Sequence, residues 1–374
     1  VPPFQPSGPV PVVTVADKRA RFADRLRELA NSASLALMVS AGHRTGLFDT
    51  MSSLPPATSA EIAGNATLNE RYVREWLAAM AAGRIVEHDP RTMTFSLPPE
   101  HAALLTRAAG AGNLAACFSL FGALAGVEDQ IVECFFRGGG LPPSAYPGYD
   151  AIRAELTWAR LDAAWLEETL PLVPGLPERL VAGIEVADIG CGYGHATNIM
   201  AEAYPESRFV GWDTSEAATS AGRAEARRKQ LGNVCFERRD ALMLAGAEQF
   251  DFVMSLGTVH HQARPELFLR RVAAALRPGA TFLFTELWAS GALADNLAIS
   301  WAPAMYAASC FHCLPVSMAS GGPGPGAMWG EQEICRILSE AGFAPVEVKR
   351  PPGDPFYNYY IARKRGASGA RARR

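Results

Sequence analysis

The second half of the chain alternates short apolar runs with helical stretches. The runs are Val186-Ala187-Asp188-Ile189, Arg208-Phe209-Val210-Gly211-Trp212, Val234-Cys235-Phe236-Glu237, Phe252-Val253-Met254 and Thr281-Phe282-Leu283-Phe284. Runs of this length separated by helices predict a parallel sheet wound on both faces, because each parallel connection needs a crossover as long as a helix. A final pair, Val346-Glu347-Val348-Lys349 and Tyr357-Asn358-Tyr359-Tyr360-Ile361-Ala362, is close enough in sequence to form an antiparallel edge hairpin.

The first half has the helical period instead. Residues 17–51 carry Phe22, Leu26, Leu29, Leu35, Leu37 and Met38 at helical spacing, with Gly42 and Gly46 breaking the pattern, and this helix is expected to pack against a partner surface. A Thr58 or Ser59 cap precedes a short helix, and a longer one runs from Asn69 to Ala82 and ends at Gly83. Ile85-Val86-Glu87-His88 and Met93-Thr94-Phe95-Ser96-Leu97 flank Asp89-Pro90-Arg91 as two strands around a turn. Together these make a winged helix. Helical stretches at 102–136 and 149–170 lead to a Pro/Gly-rich joint at 171–177, and the apolar stretch 114–127 reads as a buried helix too short to span a bilayer. The expected organisation is a flexible Pro-rich segment at 1–16, a winged-helix domain at 17–100, connecting helices at 101–177, an α/β domain at 178–364 and a flexible basic tail at 365–374.

Composition narrows the function classes. With 49% hydrophobic and 20% charged residues the 374-residue chain has the profile of a globular enzyme, and a net charge of -3 gives no general attraction to nucleic acid or anionic lipid. In the second winged-helix helix, Glu70 and Glu75 temper Arg71 and Arg74, so a lining or structural role is favoured over DNA recognition. Seven scattered cysteines point to a reducing, cytoplasmic compartment. The Pro-rich start at Val1, without Met, fits either a trimmed native start or a lost targeting segment, which keeps organellar import open. Cys310 and Cys313 have ligand-like spacing but no second pair beside them, so no metal is expected.

The first α/β strand ends in Asp188-Ile189-Gly190-Cys191-Gly192-Tyr193-Gly194, and a helix follows from His195. Glycines at such a turn let the backbone approach a ligand and leave helix N–H groups facing it. A dinucleotide fingerprint needs a third glycine where His195 stands, which disfavours a nicotinamide oxidoreductase. Asp213 ends the second strand, where a carboxylate matches the two hydroxyls of a ribose.

The D-x-G-x-G-x-G spacing resembles motif I of class I S-adenosylmethionine methyltransferases, whose seven-stranded Rossmann-like sheet is the fold expected behind the winged helix. The resemblance implies S-adenosylmethionine as cofactor, leaving as S-adenosylhomocysteine. It places the loop of Gly190, Cys191, Gly192 and Gly194 on the methionine portion with Asp188 positioning the cofactor by hydrogen bonding, Asp213 on the ribose and Asp240 on the adenine, and it counts Thr214, Ala241 and Ser255 among the cofactor-binding residues. Leu68-Asn69-Glu70-Arg71-Tyr72-Val73-Arg74-Glu75-Trp76-Leu77, His260-His261-Gln262 and Ser309-Cys310-Phe311-His312-Cys313-Leu314-Pro315-Val316-Ser317 look like a family typified by mycobacterial methyltransferases. That family has His-Asp-Gln where this chain has His260-His261-Gln262.

Methyl transfer is an in-line displacement, so the protein positions a nucleophile and, for a hydroxyl, removes its proton. His260, after the fourth strand, is the first candidate for that base and His261 the second. Gln262, Glu286, Trp288, His312 and Trp329 are candidates for contacting a small-molecule acceptor, and Trp301 is expected in the core. The segment 287–330, with its glycine-rich run 321–326, reads as a lid or as extra helix packed on the sheet. Acceptors at oxygen, nitrogen or sulfur remain open, with no nucleic acid or membrane partner and a homodimer compatible with the N-terminal helices. Methylation of a thioether acid would need no base, and a winged-helix regulator that senses S-adenosylmethionine is the rival of a different class.

Overall fold

A computed structural model of the chain describes residues 14–244, 248–351, 354 and 356–366, so the Pro-rich start and most of the basic tail lie outside the described residues. The chain divides into two compact units at Gly122/Ala123, and the connecting helices expected as a separate segment fall mostly in the second.

In the first unit α1 (Val15–Thr45) begins at a capping box in which Thr14 and Asp17 exchange hydrogen bonds, and it ends at Gly46 with φ 74°. Gly42 does not break it. A Cβ there would stand 2.5 Å from the Trp76 ring, so glycine serves the close approach of that indole. After α2 (Leu47–Ser52) come α3 (Ser59–Ala66) and α4 (Glu70–Ala82). Phe48, Ile62, Trp76, Leu77 and Met80 form the core, and the Trp76 indole donates to the Met38 carbonyl at 2.8 Å. Of the predicted α1 stripe, Phe22, Leu26, Leu29 and Leu37 are exposed.

The wing is β1 (Glu87–Asp89) paired antiparallel with β2 (Thr94–Ser96). Ile85 and Val86 fall outside it because both amides donate to the Met80 carbonyl as the chain leaves α4. Next follow α5 (Pro99–Leu105) and α6 (Ala115–Ala125). The stretch 114–127 is only partly buried, since Leu114 and Phe121 are exposed, which corrects its reading as a buried helix. Among the described residues no single helix is long and apolar enough to cross a membrane.

The second unit opens with α7 (Glu128–Arg137), α8 (Tyr149–Ala164) and α9 (Leu176–Ala182). It then alternates β3 (Glu185–Ile189), α10 (His195–Ala203), β4 (Arg208–Asp213), α11 (Glu216–Arg228), β5 (Val234–Arg238), β6 (Phe250–Leu256), α12 (Pro265–Ala275) and β7 (Leu276–Leu287). Short helices α13 (Leu293–Asn296), α14 (Ala302–Ala308) and α15 (Leu314–Ala319) precede α16 (Glu331–Ala341), β8 (Phe343–Lys349) and β9 (Tyr357–Lys364).

The seven strands lie in the order β5-β4-β3-β6-β7-β9-β8. The first five are parallel, and β9 runs antiparallel to both β7 and β8. Both faces are covered. Phe282 and Phe284 of β7 join Phe268 of α12 and Ile334 of α16 on one side, while Leu283 joins Leu176 of α9 and Met200 of α10 on the other. That alternation with period two explains why the strands read as continuous apolar runs. Strand order reverses at β3, with β4 on one flank and β6 on the other, and ligands of open α/β sheets bind beyond the carboxyl ends at such a point.

Candidate active site

The loop after β3 has Gly190, Gly192 and Gly194 all at positive φ, which side chains disfavour. A Cβ on Gly190 would press on Thr258 at 2.4 Å and one on Gly194 on Phe236 at 2.4 Å, whereas Gly192 faces open space. The Gly192 amide donates to Asp213 Oδ2 at 3.0 Å, and the Ser215 amide to Asp213 Oδ1 at 2.8 Å. Asp213, at the end of β4, is thus aimed at the loop by backbone donors, although burial, the larger influence, raises its pKa. Asp188 receives the Thr197 hydroxyl on Oδ2 at 2.6 Å, but its buried Oδ1 has no partner. Burial, with the Asp213 charge adding to it, pushes Asp188 up to about 7 against the Thr197 hydrogen bond. Burial likewise raises the Cys191 thiol.

This arrangement fits the implied cofactor: an open glycine backbone, an unpartnered buried carboxylate oxygen and a fixed acid lie together at the reversal of strand order. Thr214 lends its carbonyl to Arg238 Nε at 3.1 Å. Asp240 caps the turn Ala241–Met243 through the Leu242 amide at 2.8 Å, and Ala241 is buried. Ser255 lies near the end of β6. Its hydroxyl is fully buried and donates to the Ile189 carbonyl at 2.7 Å, so it braces β6 against β3 beneath the loop.

His195, standing where a dinucleotide fingerprint has glycine, is buried between two carboxylates. Its ring nitrogens meet Glu225 Oε1 at 2.7 Å and Asp162 Oδ1 at 2.9 Å, tying α8, α10 and α11 together. Burial works to lower its pKa, but those two partners win and raise it.

Beyond β6, the tight turn Val259–His261 puts His260 beside the end of β7. Leu256 pairs with Thr285, so Glu286 is the next residue along the neighbouring strand. Its Oε2 lies 2.5 Å from His260 Nδ1, and its Oε1 accepts the His260 backbone N–H at 3.2 Å. Both side chains are buried, and the Trp329 indole donates to Oε2 at 3.4 Å. Burial disfavours the imidazolium, yet the Glu286 carboxylate and neighbouring Cys313 carry the His260 pKa well above its ordinary value.

The His261 ring lies 4.1 Å from that of His260 and 5.3 Å from that of His312, which stacks on Tyr149 at 3.9 Å. Burial, then its charged neighbours, hold His261 well below its ordinary pKa and His312 down at about 3. The half-buried Arg153, one turn beyond Tyr149 on α8, contributes to both shifts and donates to the Tyr357 hydroxyl at 3.1 Å.

The structure therefore brings together His260, His261, Glu286, His312 and Trp329. Gln262 turns back to the Thr258 carbonyl at 3.4 Å, and Trp288 is covered by the Arg350 guanidinium at 3.7 Å from its ring centroid. Trp301, expected in the core, is 40% exposed and meets Phe356 edge-on just ahead of α14, whose Met305 packs in a small separate cluster with Ala289 and Met328. The glycine-rich run is tied back rather than left as a hinge: the Gly322 and Gly324 amides bond to Ser317, and the Ala327 amide to Ser309 Oγ. Sequence reasoning missed Arg153 and Tyr149, and it weighed Cys313 only with Cys310, not beside His260 and His261. The Tyr149/Arg153 spacing of one helical turn was the available signal for the first two.

A seven-stranded sheet of this order, with a glycine loop after its first strand and an acid ending its second, is the fold of class I S-adenosylmethionine-dependent methyltransferases. Residues 33–107 match the Rv2258c-like winged HTH domain and residues 180–342 a methyltransferase domain, so the chain carries one behind the other. A fatty-acid O-methyltransferase of Mycolicibacterium smegmatis is 31% identical over 107 residues, 28% of this chain and 38% of that protein. A ubiquinone biosynthesis O-methyltransferase of Ruegeria pomeroyi is 32% identical over 133 residues, 34% of this chain and 52% of that protein. The chain thus spans about half or less of the length of these relatives. Human N-acetylserotonin methyltransferase, solved with S-adenosylmethionine, superposes with a TM-score of 0.67 at 15% identity, covering 92% of this chain and 97% of that one.

Proposed function

We propose that the chain transfers a methyl group from S-adenosylmethionine to an oxygen of a small acidic acceptor. The observation that carries this reading is the buried His260–Glu286 pair at the carboxyl edge of the sheet. Bound cofactor supplies an electrophilic methyl group on a sulfonium. The protein holds the acceptor and removes its proton. With Nδ1–H donating to Glu286, His260 keeps a lone pair on Nε2 that can take a hydroxyl proton, and Glu286 stabilises the imidazolium that results.

Arg153 argues for an acidic acceptor. It forms no ion pair within 4.0 Å among the described residues, and its hydrogen bond runs to the Tyr357 hydroxyl. A half-buried cation so placed gains from an incoming carboxylate or phenolate. The names of the two relatives, which act on a fatty acid and in ubiquinone biosynthesis, agree with that chemistry. A DNA-binding regulator fits less well, since Arg71 and Arg74 of α4 are each paired with a glutamate.

The test is transfer of label from methyl-labelled S-adenosylmethionine to a panel of small carboxylic acids and phenols. Label recovered as methyl ester or aryl ether is the expected result. No transfer by protein that binds S-adenosylhomocysteine overturns the assignment of the acceptor, and no binding overturns the cofactor site itself.

A further inference from the structure

The turn after β6 and the segment ahead of α15 bring a ring nitrogen of His260, a ring nitrogen of His261 and Sγ of Cys313 within 4.8 Å of one another. Two imidazoles and a thiol form the donor set of zinc-class ions. A tetrahedral zinc ion wants such donors about 3.3–3.8 Å apart, so closure asks for side-chain movements of about an ångström.

Three further features mark the cluster as more than a chance meeting. His260 Nδ1 is committed to Glu286, leaving Nε2 as its ligand atom; a carboxylate behind a histidine is the usual outer support of a metal-bound imidazole. His261 Nε2 is buried without any hydrogen-bond partner, a cost that a metal bond removes. Cys313 is buried, forms no disulfide, and closes the helical turn Ser309–Cys313 directly ahead of α15.

We propose that His260, His261 and Cys313 bind a zinc-class divalent cation. On binding, the Cys313 thiol releases its proton to solvent and the two neutral imidazoles give lone pairs, with no electron changing hands. Arg153 opposes a cation here, and the Cys313 thiolate and Glu286 carboxylate supply two negative charges against it. Three protein ligands leave a fourth position for water or an anionic oxygen. The consequence rests on the proposed function: the ion takes the same Nε2 lone pair that accepts the proton, so metal binding switches methyl transfer off. Cys310, the other half of the sequence pair, is not among the ligands.

The experiment is a titration of the full chain with Co²⁺, followed by the thiolate-to-cobalt absorption band, and displacement of that ion by Zn²⁺. One saturable equivalent is expected, with the band absent in Cys313→Ser and the affinity of His261→Gln reduced at least about tenfold. S-adenosylhomocysteine binding checks the fold of each variant, and His261→Gln carries the test if Cys313→Ser does not fold. Absence of saturable binding, or a band that survives in folded Cys313→Ser, overturns the site. Full methyl transfer with zinc bound overturns the switch. Metal binding by a chain that binds no S-adenosylhomocysteine keeps the site and sinks the methyltransferase reading instead.

Discussion

Glu286 accepts two hydrogen bonds from His260, one from the backbone N–H and one from ring Nδ1, although 26 residues separate them. The carboxylate therefore fixes both the turn and the imaginable tautomer of the ring: Nδ1 carries the proton and Nε2 is left to react. Replacing His260 with Ala is expected to lower the methyl-transfer rate by about 10²- to 10⁴-fold while S-adenosylhomocysteine binds as before. Equal rates in single-turnover assays would show that the proton leaves by another route.

The pH profile follows from the same pair. Because the free protein holds His260 protonated above its ordinary range, kcat/KM should rise with pH along a limb centred above about 6.5. Glu286→Gln removes the charge that raises the pKa, so the limb should move to lower pH while the plateau falls. A limb that stays in place in the variant contradicts Glu286 as its cause.

Asp213 makes a direct prediction for the cofactor. Calorimetric titration with S-adenosylhomocysteine should show Asp213→Ala binding more weakly by about 1.5–3 kcal/mol, the range of hydrogen bonds to a charged group. Unchanged affinity would remove the ribose role.

Asp188 links the loop to stability. Its folded pKa of about 7 lies above the unfolded value, so stability from the protonated form is full at low pH and lost as pH rises through 7. Asp188→Asn, neutral and able to accept from Thr197, should raise Tm at pH 8, with the gain shrinking towards pH 4. A loss of Tm at pH 8 would mean that the ionised acid is favoured in the fold.

His195 has the complementary behaviour. Its raised pKa gives stability that is present below about 6.5 and lost as pH climbs through the folded value, while the lowered pKa of Glu225 gives stability lost as pH falls below about 4.5. The Tm deficit of His195→Gln should therefore be largest between those limits. A deficit independent of pH would assign His195 a packing role against Trp158 instead.

The sequence by itself determined the architecture and the cofactor loop. Short apolar runs such as 281–284, alternating with helices, predict strands covered on both faces, and the glycines at 190 and 194 are required by a turn in which a side chain would strike Thr258 and Phe236. Such signals are local, carried by spacing and residue type within one element. The tertiary structure decided what no spacing records. It paired His260 with Glu286 across two parallel strands, set Cys313 beside His261 from a segment some 50 residues later, and turned Ser255 under the loop instead of towards it. Contacts between distant segments depend on strand order and register, and those are fixed only when the whole sheet closes over its core.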